Sequence, residues 1–359
     1  MSDAALVDGA PPADDLAVPV SVVIPAFDAA RFIASAIRSA LAQTRPVLEV
    51  IVVDDGSRDD TAAVARAAGA NVIVQANAGP GAARNAGVRA ARGEWIAFLD
   101  ADDVWHPRKL ERQWAAHACC PGASLLGTDF VLVSPRGQIA PSVLRTHHAY
   151  RETSRRALGD GFVFIDRADA ARGLAAGQFL CPSTVVVTKT LAQRVPFAEP
   201  GRLPPDGVWH IAEDLEWYLR ALRFTDVVVL EEPLVDYLAH PGSRSWRTGP
   251  VRFGDTKLAD VVRRDPDAYA VGTLANLDAV RPRKLREASV AFLQEGDFHS
   301  ARIVLDEAWR ARGRLDDALL LAFAIACDRR AGRALTEAAR TAWRRALKPS
   351  IARFRRFKL

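Results

Sequence analysis

The sequence predicts an α/β protein: a mixed, mainly parallel sheet flanked by helices, followed by an all-α C-terminal region. Three observations carry this. Between Val20 and Asp103 short β-branched runs alternate with helical stretches, the rhythm of a parallel sheet covered on both faces. Beyond about residue 255 strand patterns stop and helical ones follow one another. The composition, 49% apolar and 25% charged over 359 residues, leaves enough apolar material for a sizeable core.

The elements follow in order. "VSVVIP" reads as the first strand, and "RFIASAIRSALAQT" as a helix with Ile33, Ala36, Ile37, Ala40 and Leu41 on one face. "VLEVIVVDD" is a second strand, and "DDTAAVARAAG" a helix with polar residues at its start and Gly69 at its end. "NVIVQ" is a third strand, "GAARNAGVRAARG" a helix and "EWIAFLD" a fourth strand. In such sheets ligands gather beyond the carboxyl ends of the strands. Three of these ends, "PAFD", "VDDGS" and "DADD", should therefore lie side by side at one rim.

After Asp103 the pattern loosens. "PRKLERQWAAHA" reads as a helix, "SLLGTDFVLV" as a strand and "SPRG" as a turn. The polar stretch from His147 to Gly177 is expected to be irregular and to face a substrate. "PSTVVVTK" is a further strand, "AEDLEWYLRALRF" a helix with Leu215, Tyr218, Leu219 and Leu222 inward, and "DVVVLEEPLVDYLAH" strand-like. The remainder reads as helices with turns at "EGD" and "RGR", either a small bundle capping the main domain or a helical-hairpin array. The expected domains are a disordered leader over 1–17, an α/β domain over 18–250 and a helical region with a basic tail over 251–359.

The bulk numbers exclude several classes. The first seventeen residues lack the basic and apolar regions of a signal peptide, and "ALLLAFAIAC" is about half a bilayer span. The four cysteines show no metal-ligand spacing and read as reduced, so a cytoplasmic protein is expected. The net charge of +5 is uneven: residues 340–359 hold eight Lys and Arg and no acid, which leaves −3 on the rest. A basic tail on a mildly acidic body suggests an anionic surface as partner; a solvated helix end reads equally well.

The residues that carry chemistry lie at the strand ends. In an extended "DAD", Asp100 and Asp102 would point the same way, and two such carboxylates suit Mg²⁺ or Mn²⁺ completed by phosphate oxygens. A solvated strand end would look similar. "VVDDGS" offers Asp55, or only a plain Asp-Gly turn. "NAGPGAARNAG" imitates a dinucleotide-binding loop, but Arg84 stands where the third glycine belongs and the loop follows the third strand. Its backbone N–H groups and Arg84 more readily face a diphosphate. "AEDLEW" sets Glu213 and Asp214 at a helix start, where acids also occur for dipole reasons alone.

Together, "VSVVIPAFDAARFIASAIRSALAQT", "EVIVVDDGSRDDT", "NAGPGAARNAGVRAARGEWIAFLDADD" and "AEDLEWYLRAL" resemble the inverting family 2 of nucleotide-sugar glycosyltransferases, which has the Rossmann-like GT-A fold. The resemblance covers roughly Val20 to Trp246. It implies Asp214 as general base and Asp102 as direct metal ligand, with His240 in "HPGSRSW" as a further ligand or phosphate contact. It places Pro25, Ala26, Phe27, Asp55, Gly79, Arg84, Asp100 and Ala101 on the donor. The implied cofactor is Mg²⁺ or Mn²⁺. The implied partners are a nucleotide-diphospho-sugar and a glycan, lipid-linked or protein acceptor, not a nucleic acid. "RSW" lacks the Gln-x-x-Arg-Trp of polymerising members, so one sugar per acceptor is expected. The basic tail, with Trp343, Ile351, Phe354 and Phe357 interleaved, suggests peripheral contact with the inner face of the cell membrane. A nucleotidyltransferase is the rival enzyme, but "PAFDAARF" has no glycine for its loop. A non-catalytic helical-repeat binding module is the rival from outside enzymes.

Overall fold

A computed structural model describes residues 19–135, 137–199, 212–243 and 248–312. The expected leader, the "RSW" loop, the apolar run at 318–327 and the basic tail lie outside the described residues.

The first half follows the expected alternation: β1 (Val20–Ala26), α1 (Ile33–Leu41), β2 (Glu49–Asp54), α2 (Thr61–Ala67), β3 (Asn71–Val74), α3 (Gly79–Ala90) and β4 (Trp95–Phe98). Then come β5 (Val104–Trp105), α4 (Lys109–Cys119), β6 (Leu125–Ser134), β7 (Gly137–Ala140), α5 (Val143–Thr146), α6 (His148–Glu152), β8 (Arg156–Gly159), β9 (Phe162–Ile165) and α7 (Arg167–Ala176). The chain continues through β10 (Val186–Thr188), α8 (Lys189–Arg194), α9 (Glu213–Ala221) and β11 (Val227–Leu238), and the described residues close with α10 (Thr248–Arg264), α11 (Thr273–Glu295) and α12 (Phe298–Arg312).

The sheet runs β3-β2-β1-β4-β10-β6-β11-β9-β8, with β5 on β11 and β7 on β6. The β3-β2-β1-β4 half is parallel, and β6 pairs parallel with β11. Between the halves β10 runs antiparallel to both β4 and β6. Alternation along the strands divides the core: Val22, Ile24, Val50 and Val52 face one side, Val23, Ile51, Val53 and Phe98 the other. α3 approaches β1 closely, because a Cβ on Gly87 would lie 2.3 Å from Val23 Cγ1.

Two expectations are corrected. The stretch from His147 to Gly177 is not irregular: it forms α6, the β8–β9 hairpin and α7, with β9 antiparallel to β11. Its polar residues are the outward side of elements whose Tyr150, Phe162, Ile165, Ala171 and Leu174 are buried. "PSTVVVTK" is strand only at Val186–Thr188, since Pro182–Thr184 forms a 3₁₀ turn.

Helices α10, α11 and α12 pack on one another, but α10 and the start of α11 also join the sheet's core. Leu258, Ala259, Val262, Tyr269 and Leu277 belong to the same buried cluster as Val23, Ile96 and Phe98. A smaller cluster around Leu285, Phe292, Ala301 and Leu305 joins α11 to α12. Among the described residues no helix is long and apolar enough to cross a membrane.

Candidate active site

Because β1 lies between β2 and β4, the three strand ends meet at one rim. Asp55 N donates to the Ala26 carbonyl at 2.8 Å, and Leu99 N to the Val23 carbonyl at 3.1 Å. The acids after β4 do not continue as a strand, as the alternation argument assumed. Asp103 N donates to the Asp100 carbonyl at 3.1 Å, which makes Asp100–Asp103 a turn with Ala101 and Asp102 at its centre. Asp103, 1% exposed, faces inward and braces that turn. Its carboxylate accepts from Ser183 Oγ at 2.5 Å and from Leu238 N at 3.1 Å, while Ser183 Oγ accepts from Asp100 N at 2.9 Å.

The bond from Leu238 ties the turn to the end of β11, and two residues further on His240 reaches back to it. His240 Nε2 lies 3.1 Å from Asp102 Oδ2, with the Phe32 ring 4.6 Å from the imidazole. Burial and the neighbouring Asp100 raise the Asp102 carboxyl above its ordinary range, against the pull of His240. Burial, Asp102 and Asp100 raise Asp103 well above it. Asp102 and Asp103 are thus held where their charge is costly. Among the described residues no group of three or more His, Cys, Asp or Glu forms a metal cage. The Asp102 carboxylate, with the His240 imidazole nitrogen beside it, instead fits Mg²⁺ or, with the nitrogen as a second ligand, Mn²⁺, the remaining ligands coming from phosphate and water.

On the other side of the turn stands Arg84. It lies within α3 and is 1% exposed. A buried guanidinium needs acids around it, and Arg84 bonds Asp100 Oδ1 at 2.7 Å and Glu213 Oε1 at 3.2 Å. Although desolvation pulls its pKa down, Asp100 and Glu213 raise it above its ordinary value, so it stays charged. One guanidinium therefore bridges two acidic motifs more than a hundred residues apart in sequence.

Beyond it, at the first turn of α9, is Asp214. Burial and Glu213 push its carboxyl up to about 7, against Arg84, a bond from Gln178 Nε2 at 2.6 Å and one from Leu215 N at 2.8 Å. Asp214 keeps part of its surface open. A carboxylate with that affinity can hold or release a proton near neutrality.

Asp55 is 3% exposed, and its oxygens accept from Gln75 Nε2 at 2.7 Å, Ala78 N at 2.9 Å and Gly79 N at 2.7 Å. The Gly79 N–H, expected to face a diphosphate, is thus taken by Asp55, which caps α3. Gly56, at φ +80, makes the turn that allows this. Of the expected wall, Pro25 and Ala26 are buried and Phe27 is 45% exposed, with Arg58 over its ring at 5.7 Å. Three residues of the site carried no assigned role in the sequence reading: Asp103, Ser183 and Gln178. Asp103 belonged to the acidic motif, but Ser183 and Gln178 sit in "GQFLCPST", which has no spacing signal.

Residues 21–136 match the model described as glycosyl transferase family 2. The succinoglycan biosynthesis protein ExoO of Rhizobium meliloti is 42% identical over 132 residues, 36% of this chain and 38% of that protein. A glycosyltransferase of Nostoc sp. described as uncharacterized is 48% identical over 99 residues, 26% of this chain and 31% of its own length. These matches thus span about a third of the relatives' lengths. A crystal structure of S. aureus TarS residues 1–349 with UDP-GlcNAc is similar in fold, with TM-score 0.55 and 19% identity over 90% of this chain and 92% of that one. The strand ends that build the acidic rim fall inside the segment that is similar to glycosyl transferase family 2, and the fold that carries them is of the GT-A type.

Proposed function

We propose that the protein is a metal-dependent, inverting, non-processive glycosyltransferase that moves a sugar from a nucleotide-diphosphate donor to an acceptor hydroxyl. The observation that carries this is the span of Arg84, which sets the Asp100–Asp103 turn and the Glu213–Asp214 pair against one another across a single guanidinium. A single displacement needs a leaving-group side and a proton-accepting side at that range. Asp214 takes the acceptor hydroxyl proton as the oxygen bonds to the anomeric carbon and the bond to the diphosphate breaks. Asp102 and His240 would hold the Mg²⁺ or Mn²⁺. The chemistry such an ion supplies when bound is neutralisation of the charge gathering on the departing diphosphate. Asp100 faces the donor with one oxygen fixed by Arg84, Ala101 and Phe27 lie on the nucleotide side, and Asp55 shapes that side from within by holding the start of α3.

The matches to a succinoglycan biosynthesis protein and to a fold seen with UDP-GlcNAc support a UDP-sugar as the first donor to try and a glycan or lipid-linked glycan as acceptor class. The basic segment 340–359 is the proposed contact with an anionic membrane on the cytoplasmic side; a chain ending at residue 339 should float with anionic liposomes less than the full chain does. Asp214→Asn tests the central reading. Transfer should fall about a hundredfold or more, while stabilisation by Mn²⁺ plus UDP-GlcNAc in thermal shift persists. Undiminished transfer would remove Asp214 from the reaction.

A further inference from the structure

Gln178 links a rigid piece of chain to the candidate base. Its Nε2 donates to Asp214 Oδ2 at 2.6 Å and to the Leu180 carbonyl at 3.0 Å. A carboxamide nitrogen carries two hydrogens, so both are engaged. The Leu180 bond also decides which way round the amide lies. Turned over, Oε1 would meet the Leu180 carbonyl oxygen and the Asp214 carboxylate, acceptor against acceptor.

The backbone around Gln178 has little room to move. Phe179 and Leu180 are each 1% exposed. A Cβ on Gly177 would come within 2.8 Å of the His147 ring. Arg283 Nη2, on α11, donates to the Ala176 carbonyl at 2.7 Å, so the C-terminal helices hold this segment from outside. With Oδ1 accepting from Leu215 N, the Asp214 carboxylate is fixed at both oxygens.

Resting on the reading of Asp214 as the base, we propose that Gln178 is its positioning residue, pinning one carboxylate oxygen and favouring the ionised form that accepts a proton. The other ionisable groups facing Asp214 are Glu213 and Tyr218 on α9, Arg84 from α3 with Asp100 beyond it, and Cys181 beside the 3₁₀ turn. None of these changes when Gln178 is replaced.

The test reads Asp214 itself. In protein labelled with ¹³C at aspartate carboxyls, the resonance absent from Asp214→Asn identifies Asp214. Its titration midpoint is expected about one to two units higher in Gln178→Leu than in the unaltered protein, the size of a lost hydrogen bond to a charged group. Gln178→Glu should move it up at least as far. Circular dichroism checks the fold, and Gln178→Met carries the comparison if the leucine variant does not fold. An unmoved midpoint in a folded variant overturns the inference, even where Asp214→Asn has lost transfer. Retained transfer in Asp214→Asn instead overturns the base reading, while the midpoint still reports on Gln178.

Discussion

Asp214 and Lys109 are both displaced in affinity toward neutrality, and for the same reason: neither charged form is fully compensated by its surroundings. For Asp214, at about 7, the ionised form is the reactive one, so kcat/KM should fall as pH drops below about 7 in a pH–rate profile. The folded chain binds that proton up to about 7 and the unfolded chain only to about 4, so this group's contribution to stability declines as pH rises between those values. Lys109 is fully buried, with one bond from Nζ to Gln113 Oε1 at 2.9 Å and the Trp105 ring 4.0 Å away, and desolvation lowers it to about 7. The unfolded chain keeps this proton to about 10.5, so stability is recovered as pH rises from 7 toward 10. In Lys109→Met the advantage over the unaltered protein should shrink by roughly 3–4 kcal/mol between pH 7 and pH 10, read from denaturant unfolding. Asp102→Ala should abolish the extra thermal shift that Mn²⁺ adds to UDP-GlcNAc; an unchanged shift would move the ion elsewhere.

At the scale of elements, the site depends on where α3 and α9 are seated. α3 comes against β1 through Gly87, where any side chain would overlap Val23. Gly87→Ala should therefore destabilise by about 1–3 kcal/mol in urea unfolding and, by shifting Arg84, weaken transfer more than Asp55→Asn does. α9 is held along its length from the C-terminal side. Glu216, paired along the helix with Arg220 Nε at 2.6 Å, accepts from Tyr269 Oη at 2.8 Å, and Ala270 N donates to the Leu219 carbonyl at 3.4 Å. The helix itself was legible from "AEDLEWYLRALRF", whose apolar residues recur at helical spacing. Its brace was not, because Tyr269 lies some fifty residues away and no local pattern announces a buried hydroxyl.

For the whole molecule, the apolar contacts of α10 and early α11 with the sheet matter more than the change of composition near residue 255. Leu258, Val262, Tyr269 and Leu277 are buried in the same cluster as sheet residues, so a chain ending at residue 250 would lack them and bare the apolar residues of the α/β part that they cover. We expect that truncation to aggregate or lose cooperative unfolding, and the full chain to show a single calorimetric transition through the sheet and α10. Two separate transitions would mean the helical region folds independently.

The sequence by itself determined the strand–helix order as far as β4, the two faces of the core and the acidic rim, since side-chain period and strand-end chemistry are local properties. It also named Asp102, His240 and Asp214 as residues to watch. Only the tertiary structure decided that Arg84 is a buried clamp, that Asp55 is turned inward to cap α3, and that Gln178 meets the base. These are consequences of desolvation: a charge removed from water must find partners wherever the fold supplies them, and that choice is made across the chain, not along it.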